Sequence, residues 1–310
     1  MGVPMLGLVL AALLTATTPA MAPVGVTPVQ LTSAEHDSLL KASAKDREAT
    51  ANWLKTAPTS YLATIQRVDF DGRTKLVIGS AADCDVRMPA GSVAAHALSV
   101  AVAGDSFHVA ALDDTTTFAW KDLAFHEATL PPTGISLGRF ALRLSHQRFP
   151  AIIVFDPQSP RFADYHGVDY FAWDPAYRFV VSLRPDLKAD TTIIMSTRGN
   201  ARRALRVGWF DLQIGGHTVS LEAHRLLEPG VGESSVSLFF RDATTGKESY
   251  GVGRYVDPEH QEDGRWLVDF NGAYSPACAF SPHYNCPIPS KANRLAVAVR
   301  AGEKDSHYAH

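Results

Sequence analysis

Hydrophobic residues follow a helical period near the N-terminus and a strand-like pattern afterwards. In the segment 32–55 the apolar positions recur about every 3.6 residues, at Leu39, Leu40, Ala44, Ala51 and Leu54. Thr32-Ser33-Ala34-Glu35 is a capping-box sequence, in which Thr32 and Glu35 each accept the backbone N–H of the other. We therefore predict a helix that ends near Lys55, within a linker and helix segment spanning residues 23–60. We expect Trp53 to be a core anchor.

Short apolar runs separated by turn residues begin at Tyr61, a pattern typical of β-strands. Asp71-Gly72 indicates a tight turn between two of these runs. The Pro-containing segment 156–160 is the predicted domain boundary. Before it, the predicted strands are residues 63–66, 75–78, 107–112, 116–120, 135–144 and 151–155.

Strand patterns continue through residues 157–304. Residues 205–212 and 217–221 flank Gly215-Gly216 and predict a hairpin, and the runs 236–240, 250–256 and 266–270 predict an antiparallel meander. The predicted fold class is therefore mainly β. It comprises the helix, a β-sandwich over residues 61–156, and an antiparallel β-rich domain over 157–304, followed by a tail of residues 305–310.

The composition is that of a globular protein. Of the 310 residues, 46% are hydrophobic and 20% are charged, and the formal net charge is -3. This charge excludes a strongly basic nucleic-acid-binding protein. No apolar run of about 18 residues follows the N-terminal segment, so we expect no membrane span in the mature chain.

Residues 1–22 have the pattern of a secretory signal peptide. The apolar run 6–14 precedes Ala20-Met21-Ala22, a cleavage pattern with small residues at its first and third positions. The segment before the run has no Lys or Arg, and Pro23 would follow the cut. A buried apolar N-terminal helix is the alternative. We expect export, to a bacterial periplasm or to the outside of the cell.

The order of turns and strands after Gly79 resembles that of a forkhead-associated domain, a β-sandwich that binds phosphothreonine. In that family, Gly-Arg precedes a strand and a Ser-x-x-His motif. Here Ser80 follows Gly79, and Ser92 and His96 are four residues apart. An arginine would be needed to hold the phosphate. The resemblance therefore implies a scaffold without the phosphopeptide function. We expect His96 to be structural and Cys84, the odd thiol of the chain, to be a small buried residue.

Charged and amide side chains concentrate between the apolar runs of residues 235–304. Such side chains near strand ends and turns indicate a site, although Arg and Asp there also form purely structural ion pairs. The aromatic-rich run 165–175 is either a pocket wall or a core plug between sheets. The candidate ligand-binding residues are Arg241, Asp242, Arg254, Asp269, Asn271, Tyr274, Asn293 and Glu303.

Two of the three cysteines lie in this stretch. Cys278 and Cys286 are separated by seven residues, among them His283. In an oxidising compartment the expected state is a disulfide, so we predict a Cys278–Cys286 bond and no metal site. The alternatives are free thiols, or a metal held by both cysteines, His283 and either water or a carboxylate such as Asp269.

The same stretch resembles an uncharacterised bacterial family, domain of unknown function 1684. The resemblance rests on the phrases FRDATTGKESYGVGRYVD, DFNGAYSPACAFSPHYNCPIP and NRLAVAVRAGEK. It is specific over residues 235–304 and collinear, more weakly, back to about Lys45. Ser275, Ser249 and Asn52 stand where the family usually has other residues. The cysteines and prolines of this stretch recur in the family. The family has no established activity, so the resemblance implies none.

Two functional hypotheses remain open, beside a purely structural polar cluster. The first is an exported, non-enzymatic module that binds a small molecule or an anionic ligand in a pocket lined by the cluster and by the aromatic run near Tyr170. The second is a hydrolase or metal-assisted enzyme there, with Asp269 or Glu303 as base and Arg254 orienting an anionic substrate. The chain has no phosphate-binding loop, H-E-x-x-H motif or dinucleotide fingerprint, and we expect no cofactor.

Overall fold

The structure, a computed structural model, describes residues 25–308. The predicted signal peptide lies outside the described residues. The described part is mainly β, with one N-terminal helix followed by antiparallel sheets, as the sequence predicts. Within residues 25–308 no helix is long and apolar enough to cross a membrane.

Helix α1 (Ser33–Thr56) begins and ends as predicted. The Glu35 N–H donates to the Thr32 hydroxyl at 3.3 Å, and the Thr32 N–H donates to the Glu35 carboxylate at 2.8 Å, which completes the capping box. The helix stops at Ala57 because the following residue is Pro58, whose ring disfavours helical backbone before it. Most of α1 is exposed, and the expectation for Trp53 is wrong: it is 37% exposed.

The N-terminal β region consists of two sheets that share one hydrophobic core. Phe140 and Leu142 of one sheet and Val100 and Phe107 of the other belong to the same buried cluster. The sheet orders are β1-β11-β10-β9-β6-β7 and β3-β2-β4-β5-β8. The strands are β1 (Thr64–Asp69), β2 (Lys75–Gly79), β3 (Val86–Arg87), β4 (Leu98–Ala103), β5 (Ser106–Ala111), β6 (Phe118–Trp120), β7 (Leu123–Phe125), β8 (Glu127–Leu130), β9 (Thr133–Leu137), β10 (Phe140–His146) and β11 (Pro150–Phe155).

The turn at Asp71-Gly72 joins two sheets instead of closing a hairpin. Both strands that it connects form as predicted, but β1 pairs with β11 while β2 pairs with β3 and β4. Phe70 and Leu76, on either side of the turn, are both buried in the shared core. The chain therefore crosses from one sheet to the other to bury both side chains.

The C-terminal region contains nine strands in three sheets. The predicted hairpin is confirmed as β15 and β16, with Gly215 and Gly216 at φ of 57° and 78°, values that glycine adopts without strain. The strands are β12 (Arg178–Val181), β13 (Arg184–Pro185), β14 (Thr191–Met195), β15 (Ala201–Ile214), β16 (His217–Leu226), β17 (Leu238–Phe240), β18 (Arg254–Val256), β19 (Glu259–His260) and β20 (Trp266–Asp269). Short 3₁₀ helices occupy Tyr61–Ala63, Pro160–Phe162, Pro175–Tyr177, Phe270–Gly272 and Ala277–Ala279.

The predicted meander is only partly correct. Strands β17 and β18 pair as expected, but β20 pairs with β12 and β19 and not with β18. The short strand β19 turns the chain into β20, and an isolated bridge between Tyr255 and Tyr274 returns the chain to β18 only after β20 has ended. A distant strand, β12, therefore takes the place that a meander would give to β18.

Helix α1 packs against the C-terminal region through a small apolar cluster. Leu54 at the end of the helix joins Leu62 and Phe280 in this cluster. Nearby, the Thr64 hydroxyl donates to the Ser281 hydroxyl at 2.6 Å, which links the start of β1 to the same C-terminal segment. The Leu54 contact places the end of α1 beside the segment that carries the predicted polar cluster.

Candidate functional site

A cavity of about 550 Å³ lies between α1 and the C-terminal region. This volume is in the range of pockets that bind small molecules. One wall comes from one side of α1, which presents Leu39, Ser43 and Arg47, and another from the aromatic run, which presents Tyr170 and Trp173. The remaining wall includes four members of the predicted polar cluster: Asp269, Asn271, Tyr274 and Glu303.

Glu303 is a buried acid of this cavity, and its pKa is raised. Its side chain is buried, and the Ser275 N–H donates to its Oε2 at 2.7 Å. Burial raises the pKa of Glu303 from 4.5 to about 7, although the bonds from Ser275 and the charge of Arg254 act in the opposite direction. The carboxyl group is thus able to gain or lose a proton near neutral pH.

Arg47 carries hydrogen-bond donors that the described protein does not satisfy. Its Nε and Nη2 atoms are buried and have no hydrogen-bond partner within residues 25–308. The guanidinium carbon lies 4.4 Å from the centre of the Tyr170 ring, a cation–π contact. Burial lowers the pKa of Arg47, while Tyr170 opposes that change. A buried donor without an acceptor is unfavourable, so an incoming acceptor would gain more here than at the surface.

Asp269 and Asn271, the predicted acid and amide on the same wall, already have partners within the protein. Asp269 lies opposite Arg178 across β12 and β20, and their side chains form an ion pair. Asn271 donates to Asp269 and to the Asp174 carbonyl, both at 2.9 Å, and accepts the Asp174 N–H at 2.9 Å. Because all these groups are paired, they shape the wall and leave few bonds for a ligand.

Tyr274 is held by a carboxylate at the edge of the same wall. Its hydroxyl donates to Asp257 Oδ2 at 2.8 Å. Burial raises the pKa of Tyr274, with Asp257 as a further cause, so the phenol stays protonated at neutral pH. The phenol oxygen keeps lone pairs, and a ligand donor can use them.

Arg254 does not line the cavity, although the sequence grouped it with residues that do. Its side chain is fully buried, and its guanidinium donates to the backbone carbonyls of Val299, Ala301 and Glu303. Asp242 lies 3.5 Å from its Nη2. Burial lowers the pKa of Arg254, and Asp242 is the main cause that opposes this change. Arg254 therefore positions the backbone that carries Glu303, behind the cavity wall.

Asp242, Arg241 and Asn293 also lie outside the cavity lining. Asp242 accepts the Val299 N–H at 2.6 Å, and Arg241 donates to the carbonyls of residues 251 and 252 at 2.6 and 2.9 Å. Asn293 is fully buried, accepts the Glu222 N–H at 2.8 Å, and donates to the carbonyls of residues 222 and 239, both at 2.9 Å. Each of the three ties chain segments together.

Cys278 and Cys286 are neighbours in the structure as buried free thiols. The Cys278 N–H donates to the Cys286 sulfur at 3.3 Å, and the Tyr250 hydroxyl donates to the Cys278 carbonyl at 3.0 Å. The alternative metal set with His283 is not among the ligand clusters of the described residues, where the one His/Cys/carboxylate group is at Asp83, Cys84 and His96. The predicted disulfide stays a prediction.

Sequence reasoning missed Arg47 and misjudged the aromatic run as one unit. Tyr170 and Trp173 line the cavity, whereas Phe171 is buried and lies 5.5 Å from the Arg254 guanidinium, so the run is partly wall and partly core. The available signal for Arg47 was its helical spacing from Leu39 and Leu54, which places a charge on the packed side of α1.

A nucleophile motif in the N-terminal sheets does not form a site. Gly134–Gly138 matches the letters of the G-x-S-x-G motif, in which the serine sits on a strained turn between a strand and a helix. Here Ser136 lies in β9 and is paired across the sheet with Ala141 and Ala119. This geometry is that of an ordinary strand.

Comparisons with known proteins identify the C-terminal region. The family model described as protein of unknown function, DUF1684, matches residues 163–304. Among solved structures, the solution NMR structure of an uncharacterised protein of Haloarcula marismortui is 33% identical, with a TM-score of 0.39, over 49% of this chain and 85% of the other. No curated protein matches the chain. The segment 163–304, which supplies the two cavity walls other than that of α1, is therefore the part of the chain that matches the DUF1684 family.

Proposed function

We propose that this protein is an exported module that binds a small anionic molecule in the cavity between α1 and the DUF1684 region. The observation that carries the proposal is the Arg47 guanidinium: the Arg47 side chain lines the cavity, and its buried Nε and Nη2 donors have no acceptor within residues 25–308. A ligand oxyanion would supply that acceptor through charge-assisted hydrogen bonds.

The chemistry of the walls restricts the ligand further. Tyr170, Trp173 and Tyr61 offer aromatic surface, which suits a flat or apolar body. Asp46, Asp257 and Glu259 are acidic and line the same cavity, so a molecule with several negative charges would be repelled. The ligand we propose has a single anionic group at the Arg47 end and a body that reaches the aromatic side chains.

The ligand would reach Arg47 by a small movement of one side chain. The two unpartnered nitrogens are shielded from solvent, and the guanidinium rests on the Tyr170 ring. We propose that the Arg47 side chain rotates away from that ring when the ligand binds, so that both donors face the cavity. Glu303, on the opposite wall, would accept a ligand donor when it is charged and donate to a ligand acceptor when it is protonated.

The remaining parts of the proposal concern the scaffold and the compartment. The two N-terminal sheets serve as a forkhead-associated-like support without phosphopeptide binding. In its favour, the Ser80 hydroxyl donates to the Val93 carbonyl at 3.0 Å and the Ser92 hydroxyl to the Pro89 carbonyl at 2.6 Å, so both hydroxyls are used internally. The signal-peptide pattern of residues 1–22 supports export, and export would favour the Cys278–Cys286 disulfide.

Binding can be tested with a variant of Arg47 and a matched control on the same helix. Native mass spectrometry of the full chain purified from an export host should show a small-molecule adduct. Titration with 8-anilinonaphthalene-1-sulfonate, an aromatic monoanion, supplies a defined probe. Arg47→Met should weaken probe binding roughly 10- to 100-fold, because hydrogen bonds to a charged group contribute about 1.5–3 kcal/mol. Lys45→Met removes an exposed charge two residues earlier, on the opposite side of the same helix, and should leave binding unchanged.

The proposal fails if the two variants bind the probe equally well while near-UV circular dichroism shows both to be folded. It also fails if the probe binds the native chain no better than it binds a chain whose cavity is filled by Ser43→Trp. Ser43 lines the cavity from α1, and a large side chain there would occupy the ligand volume.

A second function is favoured by one specific observation, the pKa of about 7 of Glu303. A buried carboxyl group with that pKa is suited to general acid–base catalysis near neutral pH, as in a hydrolase. Asp269 is a weaker candidate because Arg178 and Asn271 occupy its oxygens. The enzyme hypothesis predicts hydrolysis of an anionic ester with a pH profile that turns near pH 7, lost in Glu303→Gln while probe binding persists. Binding without turnover of any ester tested would contradict the enzyme hypothesis, and only the binding function would then be supported.

A further inference from the structure

Three metal-ligand side chains of different kinds meet in the N-terminal sheets, outside the cavity. The ligand atoms of Asp83, Cys84 and His96 all lie within 4.8 Å of one another. His96 Nε2 is 2.9 Å from Asp83 Oδ1, and the Cys84 thiol donates to the Ala95 carbonyl at 3.2 Å. Cys84 is buried, whereas the other two are exposed, so the group opens to solvent on one side.

The two loops that carry these side chains are fixed to each other by backbone hydrogen bonds. The N–H groups of Ser80 and Ala81 donate to the carbonyls of Ala94 and Ala95 at 3.0 and 2.9 Å. These bonds hold the loop of Asp83 and Cys84 against the loop of His96. The ligand groups are therefore held close together by the fold before any ion binds.

The far end of the first loop is anchored as well. Asp85, directly after Cys84, accepts the Val77 N–H at 2.8 Å and the Arg73 guanidinium at 2.8 Å. Gly79 permits the close approach of this loop, because a Cβ at that position would lie 2.1 Å from the Ala95 carbonyl oxygen and 2.9 Å from the Cys84 sulfur. Both ends of the cysteine loop are thus determined by the sheet.

We propose that Asp83, Cys84 and His96 form a binding site for a divalent ion of the zinc class. A thiolate, an imidazole and a carboxylate are ligands that zinc accepts together, whereas magnesium and calcium prefer oxygen alone. Three protein ligands leave the fourth tetrahedral position to water on the exposed side. When the ion binds, the Cys84 thiol releases its proton to solvent and its sulfur forms the bond to the metal.

The movement that this requires is small. Bond lengths of about 2.0–2.3 Å place the ligand atoms of a tetrahedral zinc site roughly 3.3–3.8 Å apart. The separations of up to 4.8 Å must therefore shorten by about 1.0–1.5 Å at most, while the 2.9 Å contact between His96 and Asp83 opens slightly. When the ion binds, the Cys84 sulfur gives up its hydrogen bond to the Ala95 carbonyl.

The same two sheets contain a matched control without a thiol. His108 Nε2 lies 3.2 Å from Glu127 Oε1, and both side chains are exposed, as in the His96–Asp83 pair. If an exposed histidine beside a carboxylate were sufficient for binding, the two pairs would behave alike. The proposal predicts that they differ, because only the first has a cysteine within reach among the described residues.

Cobalt(II) titration of the full chain with its thiols reduced tests the site directly. We expect one equivalent to bind with a thiolate-to-cobalt charge-transfer absorption, which zinc then removes by displacement. The absorption should be absent in Cys84→Ser and preserved in a Cys278→Ser, Cys286→Ser double variant. His96→Gln, a change at an exposed position, should weaken cobalt binding by at least about tenfold, and His108→Gln should leave it unchanged.

Two results would overturn the proposal. One is the lack of a charge-transfer absorption in the native chain at several equivalents of cobalt. The other is an absorption that survives Cys84→Ser or responds equally to His96→Gln and His108→Gln, since the thiolate would then come from elsewhere or the histidine would take no part.

Discussion

Glu303 should make the stability of this protein depend on pH between about 4.5 and 7. Its carboxyl group has a pKa of about 7 in the folded chain, compared with 4.5 for an ordinary glutamate, and burial is the main cause. The folded state therefore holds this proton more tightly than the unfolded state does. The resulting stabilisation is complete below pH 4.5 and is lost as the pH rises to 7, since deprotonation then favours the unfolded chain.

The expected size follows from the difference between the two pKa values. Each unit corresponds to about 1.4 kcal/mol, so the free energy of unfolding should fall by up to about 3 kcal/mol over this range. Glu303→Gln resembles the protonated acid at every pH and should abolish that loss. Its amide oxygen can still accept the Ser275 N–H, so the variant should be more stable than the native chain at pH 8.

Urea unfolding at pH 4.5, 5.5, 6.5 and 8, followed by circular dichroism, measures this effect as the difference between native and variant. Glu262→Gln is the matched control because Glu262 is exposed in the same region. Its curve should run parallel to that of the native chain. Parallel curves for the native chain and Glu303→Gln would refute the reasoning, because they would show that the proton affinity of Glu303 does not change on folding.

Two further predictions concern buried groups. Arg254→Met should lower the free energy of unfolding by roughly 3–5 kcal/mol in urea titrations, because it removes the charge that pairs with Asp242 and leaves three carbonyls without their Arg254 donor. Arg265→Met breaks an exposed ion pair and should change the stability far less, and equal effects of the two variants would contradict the structural role of Arg254. The chain isolated from an oxidising compartment should have an intact mass two hydrogens lower than its reduced form, and this difference should persist in Cys84→Ser but vanish in Cys278→Ser. Closing that loop should contribute roughly 2–3 kcal/mol, and identical masses before and after reduction would rule the bond out.

Features set by neighbouring residues were predictable from the sequence. The capping box of Thr32 and Glu35 and the hairpin at Gly215-Gly216 both depend on side chains or φ angles within a few positions. The separation of β1 and β2 into different sheets was not predictable from Asp71-Gly72, because a tight turn determines only the local reversal of the chain. Which sheet each strand joins depends on residues more than 70 positions away, such as those of β11.

The candidate site was predictable only in part for a related reason. Four of the eight candidate residues line the cavity, because proximity along the chain does not tell which side of a strand faces the cavity and which faces the core. Arg254 and Asp242 turn inward, whereas Asp269 and Glu303 reach the wall. Arg47, more than 200 positions earlier, completes the cavity through tertiary packing that the local pattern does not encode.

The polar cluster therefore forms two layers, and the inner layer positions the outer one. The inner layer contains Arg254, whose donors hold the carbonyls of residues 299, 301 and 303 and so fix the segment that presents Glu303. The outer layer faces the cavity. Both layers belong to the segment 163–304, which matches the DUF1684 family, but α1 does not. The Arg47 guanidinium and the helical wall of the cavity therefore come from outside the segment that matches the family.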